Sequence, residues 1–151
     1  MKGFIKVSAL LLTIVMLISL TACTKEAGVN TVTPDVIVET SLWDDALYTE
    51  DTTLGEGVKT VQVEVKAEDK SITFTVKTDA ETLADALTAH SLIEGEESQY
   101  GIYVKKVNGI FADYNVDGYY WSILKNGEYL MTGADTTVIA DGEHYELVRT
   151  K

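Results

Sequence analysis

The sequence predicts a mostly-β α+β domain: a β-hairpin, one amphipathic helix, then several short antiparallel strands. Three observations predict it. Apolar and polar residues alternate across residues 61–76, a single stretch of helical spacing follows, and beyond Gly101 the chain is punctuated by Asn-Gly and Asp-Gly pairs.

The first strand is read from Val61, Val63 and Val65 alternating with Gln62, Glu64 and Lys66, and the second from Ile72, Phe74 and Val76. The polar run Ala67-Glu68-Asp69-Lys70 joins them as a hairpin, each strand half buried. Thr78-Asp79-Ala80-Glu81 has the S/T-x-x-E form of a capping box, and Leu83, Ala84, Ala86 and Leu87 follow at helical spacing. This predicts a helix of about three turns, ending at His90 or Ser91 and covering the hairpin's apolar face.

The later strands are expected at Ile102–Val107, Ile110–Tyr114, Tyr119–Lys125, Glu128–Met131 and Tyr145–Arg149. Asn108-Gly109, Asp117-Gly118, Asn126-Gly127 and Asp141-Gly142 would supply the positive φ angles of two-residue turns. No repeat and no second domain is evident. The expected domain is residues 58–151, about 95 residues and enough for one modest core.

Residues 1–22 read as an export signal. Lys2 and Lys6 precede an apolar run from Val7 to Leu20, and the small residues Thr21-Ala22 stand before Cys23. At 1.5 Å per residue that run is about 21 Å long, short of the roughly 30 Å hydrocarbon core, so a permanent span is the poorer reading. Leu20-Thr21-Ala22-Cys23 resembles the lipobox of bacterial lipoproteins, which implies acylation of the Cys23 thiol and cleavage just before it. The alternative is an ordinary signal with a chance cysteine. Cys23 is the only cysteine and has no partner for an internal disulfide. Acylation would hold the protein almost permanently at the membrane, on the outer face of the cytoplasmic membrane.

Residues 23–57 follow as an acylated cysteine and a flexible acidic spacer rich in Thr, Glu, Asp and Gly, with an isolated Trp43 that either belongs to the tether or docks elsewhere. Residues 1–22 hold two of the 12 basic residues and none of the 24 acidic ones, so their removal takes the formal charge from −12 to −14. Such a surface repels nucleic acid and anionic headgroups, which argues against both as partners.

A family resemblance rests on Thr53-Leu54-Gly55-Glu56-Gly57, Asp79-Ala80-Glu81-Thr82-Leu83, Tyr100-Gly101-Ile102-Tyr103-Val104 and Asn108-Gly109. It continues through Tyr120-Trp121, Asn126-Gly127-Glu128-Tyr129, Thr132-Gly133-Ala134-Asp135 and Asp141-Gly142-Glu143. These resemble a domain of bacterial surface lipoproteins long classed as of unknown function, itself similar to the carboxy-terminal β domain of the cobalamin carriers transcobalamin and intrinsic factor. In those carriers the β domain closes over the corrin ring opposite a helical barrel, and this chain lacks the barrel. The resemblance implies a small-ligand binding domain with corrinoids as the ligand class. It places contacts at Tyr119, Tyr120, Trp121, Asn126, Gly127, Thr132 and Gly133.

The residues themselves leave two uses open for the aromatics. Seven of the eight tyrosines lie at or after Tyr100, with Trp121 among them. They can form a platform for a planar ligand, or, as strand aromatics more commonly do, pack across strands. On the strand from Tyr119, strict alternation puts Tyr119, Trp121 and Ile123 on one face and Tyr120, Ser122 and Leu124 on the other. Trp121 is the expected core anchor and Tyr120 the expected exposed contact.

Asp113-Tyr114-Asn115-Val116-Asp117-Gly118 matches the first half of an EF-hand loop, but the twelfth position is Leu124 and the flanks read as strands. A turn rich in Asn and Asp is the simpler reading. With only His90 and His144, no free thiol after lipidation, and no nucleophile elbow, zinc motif or phosphate loop, no catalytic residues, metal site or cofactor are expected. The predicted function is a non-enzymatic binding module. The alternative is a cell-envelope module that offers a sheet edge or aromatic face to another protein or to glycan.

Overall fold

The alternation read from the valines produces a hairpin of two nine-residue strands. In the computed structural model, strands β2 (Lys59–Ala67) and β3 (Lys70–Thr78) pair antiparallel with Val61 opposite Val76, Val63 opposite Phe74 and Val65 opposite Ile72. All six side chains are buried. Their polar neighbours face the other side, where Gln62 meets Thr75 and Lys66 reaches Glu64 and Glu146. The structure describes residues 40–151, within one compact unit. The export signal, Cys23 and the first part of the expected spacer lie outside the described residues.

With β1 (Thr52–Leu54), β7 (Tyr120–Lys125), β8 (Glu128–Tyr129) and β9 (His144–Thr150), the hairpin forms a six-stranded sheet ordered β1-β3-β2-β9-β7-β8. Strand β9 (His144–Thr150) lies parallel to β2, with Val63 beside Tyr145 and Val65 beside Leu147. Strand β7 (Tyr120–Lys125) runs antiparallel to β9, and β8 (Glu128–Tyr129) closes that edge. The sequence left the strand order open, and β9 pairs antiparallel with β7 but parallel with β2. The cause of the parallel pairing is topological: the chain returns from β2 to β9 through everything between them, so no hairpin dictates direction.

A second layer covers the valine face. It consists of helix α1 (Leu83–Thr88) and a three-stranded sheet of β4 (Ile93–Ser98), β5 (Gly101–Val107) and β6 (Ile110–Phe111). Leu83, Leu87, Leu92, Ile93, Val107 and Ile110 join Phe74, Tyr145 and Leu147 in one buried cluster. The fold is therefore mostly β with one core.

Three sequence expectations are corrected. The expected spacer is folded from residue 40 onward. A short 3-10 helix, Leu42–Asp45, carries a Ser41/Asp44 capping box and buries Trp43, whose Nε1 donates to the Ala67 carbonyl at 3.0 Å. Strand β1 (Thr52–Leu54) then pairs parallel with β3. An indole buried against the hairpin turn stabilises more than a solvated tether would gain in entropy, so the domain starts well before residue 58.

The helix is shorter than three turns. Thr78 ends β3, and its hydroxyl accepts from the Ala80 amide, closing a turn. The true cap is Thr82, whose hydroxyl accepts from Asp85 N at 3.2 Å. The residues on either side of it bridge elsewhere: Ile139 N donates to Glu81 O, and Leu83 N donates to Thr137 O. At the far end Leu92 N reaches Leu87 O and Ser91 N reaches Thr88 O, with Ser91 in the left-handed region, a Schellman closure.

Lastly, Asp117-Gly118 is no hairpin turn. Residues Tyr114–Asp117 form a single helical turn, α2, with Asp113 as N-cap and Gly118 (φ 74°) as left-handed C-cap. The strand expected over Ile110–Tyr114 stops at Phe111 accordingly.

Candidate functional site

The expected ligand residues divide along β7. Tyr119, Tyr120 and Trp121 stand at its start and Asn126-Gly127 just past its end, separated by roughly 17 Å at 3.3 Å per strand residue. The structure does not gather them into one pocket.

At the start of β7, Trp121 is core, buried with its Nε1 lacking a hydrogen-bond partner among the described residues. Tyr119 has one ring face covered. The Arg149 guanidinium lies 3.8 Å from its centroid, donates through Nη2 to Asp117 Oδ2 at 2.7 Å, and donates through Nε to the Phe111 carbonyl at 3.1 Å. One arginine thus fastens α2 to β6 and β9. Burial pushes the Asp117 carboxyl up, but the Tyr119 amide and Arg149 outweigh it and hold the group below its ordinary value. Tyr120 sits on the opposite face of β7, half buried, facing Thr150 across the strands.

At the other end, Asn126-Gly127 makes the expected tight turn, with φ of 51° and 83°. Lys125, Asn126, Glu128, Tyr129 and Leu130 line a surface depression of about 390 Å³ beside it. Tyr129 is 61% and the nearby Met131 95% exposed. Tyr129 belongs to the Asn-Gly-Glu-Tyr motif but was not among the expected contacts. Nothing in its own residue type separates an exposed strand tyrosine from a packed one.

Thr132 and Gly133 do structural work. The Gly133 carbonyl accepts from Thr136 N, Thr137 N and the Thr137 hydroxyl, winding a tight turn. That turn's carbonyls then receive the first amides of α1, Leu83 N on Thr137 O and Ala84 N on Ala134 O. The Asp141-Gly142-Glu143 motif is likewise a brace. Asp141 Oδ1 accepts from Thr60 N at 2.7 Å, and Glu143 takes Lys125, the Tyr145 hydroxyl and Ala140 N. Burial and the adjacent Glu143 carboxylate push the Tyr145 hydroxyl well above the usual tyrosine range.

The EF-hand-like oxygens are already engaged. Asp113 pairs with Lys105 at 3.0 Å and accepts from Asn115 N, contacts that hold its carboxyl below the ordinary value. Asp117 is taken by Arg149. A separate depression of about 290 Å³ between α1 and β5 is lined by Asp85, Glu97 and Asp135 among others. Even so, among the described residues no three His, Cys, Asp or Glu side chains are placed to hold a metal ion. His90 packs over Gly55, and His144 lies 3.9 Å from Glu64 on the open sheet face. Among the described residues no helix is long and apolar enough to cross a membrane.

A six-stranded sheet is thus covered by one helix and a three-stranded sheet, with an open depression at the β7–β8 hairpin. Residues 80–145 match the family described as Domain of unknown function (DUF4430), and the chain belongs to that family. Among solved structures it is similar to a candidate metal-binding protein from Ruminococcus gnavus, at 32% identity and a TM-score of 0.59, covering 62% of this chain and 98% of that one. It is also similar to haptocorrin in complex with Cbi, at 25% identity and a TM-score of 0.51, covering 62% of this chain and 25% of that one. The chain thus corresponds to about a quarter of haptocorrin. No curated protein matches.

Proposed function

We propose that this protein is a lipoprotein, anchored through Cys23 to the outer face of the cytoplasmic membrane, whose β domain is a non-enzymatic module for a small ligand of the corrinoid class. The observation that carries the ligand reading is the likeness to haptocorrin in complex with Cbi, which we read as the corrinoid cobinamide. The open depression at the β7–β8 hairpin, rimmed by Asn126 and Tyr129, supplies the contact surface. A small-molecule site usually encloses most of its ligand. A depression of about 390 Å³ on an open surface covers only one side of a corrinoid, so this domain alone binds weakly and a second protein supplies the other side.

Equilibrium dialysis of the chain against cobinamide and cobalamin tests this. Retention above that of an unrelated acidic protein is expected, and none would remove the proposal. Anchoring is tested separately by incorporation of labelled palmitate, which Cys23→Ser must abolish.

One observation favours a second reading, an envelope interaction module. The short β8 edge pairs on one side only and leaves Tyr129 exposed, with the exposed Met131 just beyond it, an aromatic and apolar face that a protein partner could cover. A stoichiometric protein partner recovered from solubilised membranes, lost on Tyr129→Ala, would support this reading over a free ligand.

A further inference from the structure

Two Asn-Gly turns close hairpins in this fold with the same backbone geometry. Asn108 and Asn126 both have φ of 51°, and Gly109 and Gly127 have 82° and 83°. Their side chains meet opposite surroundings. Asn108 is fully buried, its Oδ1 accepting from Tyr48 N at 2.9 Å and its Nδ2 donating to Tyr48 O at 2.8 Å. Asn126 is exposed, and among the described residues only its backbone amide is tied, to His144 O at 3.2 Å. A Cβ built on Gly127 would find no atom within 4 Å, so the turn stands open to solvent.

We propose that Asn126 is a site of spontaneous self-modification, converting to aspartate and isoaspartate while Asn108 is spared. The Gly127 backbone nitrogen attacks the Asn126 side-chain carbonyl carbon. A bond forms between Gly127 N and Asn126 Cγ, the Cγ–Nδ2 bond breaks, and the Gly127 amide proton leaves with ammonia. The resulting succinimide then takes up one water. Opening at one carbonyl yields aspartate, and opening at the other yields isoaspartate; no oxidant or cofactor takes part. Glycine in the following position matters because no side chain shields the attacking nitrogen.

Asn108 carries the same dipeptide but cannot turn its carboxamide onto Gly109 without giving up both bonds to Tyr48. Its conversion waits on local opening of the segment around residue 48, and its rate scales with that opened population. At Asn126 the product adds a negative charge to the β7–β8 turn. The isoaspartate form also lengthens the backbone by a methylene, in a two-residue turn whose strand register depends on its conformation.

The experiment holds the full chain at mildly alkaline pH, folded and in denaturant, and follows both asparagine peptides by mass mapping and isoaspartate-specific methylation. In denaturant the two sites should convert at similar rates. In the folded chain Asn126 should convert roughly tenfold faster than Asn108 or more, because only Asn108 requires opening. Equal rates in the folded chain, or an Asn126 that stays intact while the denatured control converts, would overturn the proposal.

Discussion

The side-chain amide of Asn108 binds both backbone groups of Tyr48, accepting from its N–H at 2.9 Å and donating to its carbonyl at 2.8 Å. Leu47 N adds a bond to the Asn108 carbonyl, and the Tyr48 ring packs edge-on against Phe74, 5.5 Å between centroids. A single buried asparagine at a hairpin turn therefore fastens the segment before β1 to the second layer. Replacing Asn108 with alanine leaves a peptide N–H and C=O without partners. The expected loss is about 2–4 kcal/mol in chemical denaturation. A loss under about 0.5 kcal/mol, the range of an ordinary surface change, would contradict the assignment.

Trp43 tests where the domain begins. Trp43→Ala removes a buried indole and its bond to Ala67 O, at an expected cost of about 3–5 kcal/mol. A chain starting at residue 58 should lose cooperative thermal unfolding. If that truncated chain melts as sharply and as late as the full chain, the packing of residues 40–57 contributes nothing.

Arg149 clamps three elements with a side chain that is 9% exposed. Arg149→Met should cost about 2–4 kcal/mol, because Asp117 and the Phe111 carbonyl lose their donor. Arg149→Lys should restore little, since one ammonium cannot meet Asp117, the carbonyl and the Tyr119 face together. Full rescue by lysine would sink that reading.

Stability should fall at both ends of the pH scale. The carboxyls of Asp113, Asp117, Glu143 and Glu146 lie below their ordinary values of 3.8 and 4.5 in the folded chain. Their contribution is present above those values and is lost as pH drops through the depressed ones. Hydrogen bonds that Lys66 donates to Glu146, and Lys105 to Glu96 and Asp113, raise both lysines above 10.5. Their contribution is present below 10.5 and is lost as pH climbs through the raised values. Denaturation midpoints should be flat between pH 6 and 9 and fall below about pH 4 and above about pH 10.5. A maximum near pH 4.4, the isoelectric point, would contradict this account.

What could be read from the sequence was local. Val61, Val63 and Val65 fix the hairpin because period two with one buried face admits one register, and Asn-Gly fixes its turns because both φ angles are positive. The helix start was misplaced because Thr78 and Thr82 both stand three residues before an acid, and only tertiary bonds to Thr137 and Ile139 decide between them. Strand β4 gave no signal, since Glu94, Glu96 and Glu97 sit on an exposed edge where neither face demands apolar residues. Trp43, β1 and the parallel β2–β9 pair depend on contacts distant in sequence, which period cannot report. Of the candidate site, Asn126 was legible as turn chemistry. Its neighbour Tyr129 was not, because exposure of one strand face is set by what packs on the other.

If Tyr129 anchors a planar ligand, Tyr129→Ala should weaken cobinamide retention roughly tenfold, the worth of one exposed aromatic contact, while leaving the melting temperature unchanged. Tyr120→Ala, on the opposite end of β7, should weaken it less. Equal losses for both would move the contact to the start of the strand.

The proposed ligand surface is one-sided and lies at the β7–β8 hairpin. Its most direct test is backbone amide chemical-shift mapping of the domain during titration with cobinamide. Saturable shifts confined to residues 125–131 and their strand neighbours are expected. Shifts confined to another region of the domain, or none at ligand concentrations far above that of the protein, would contradict it.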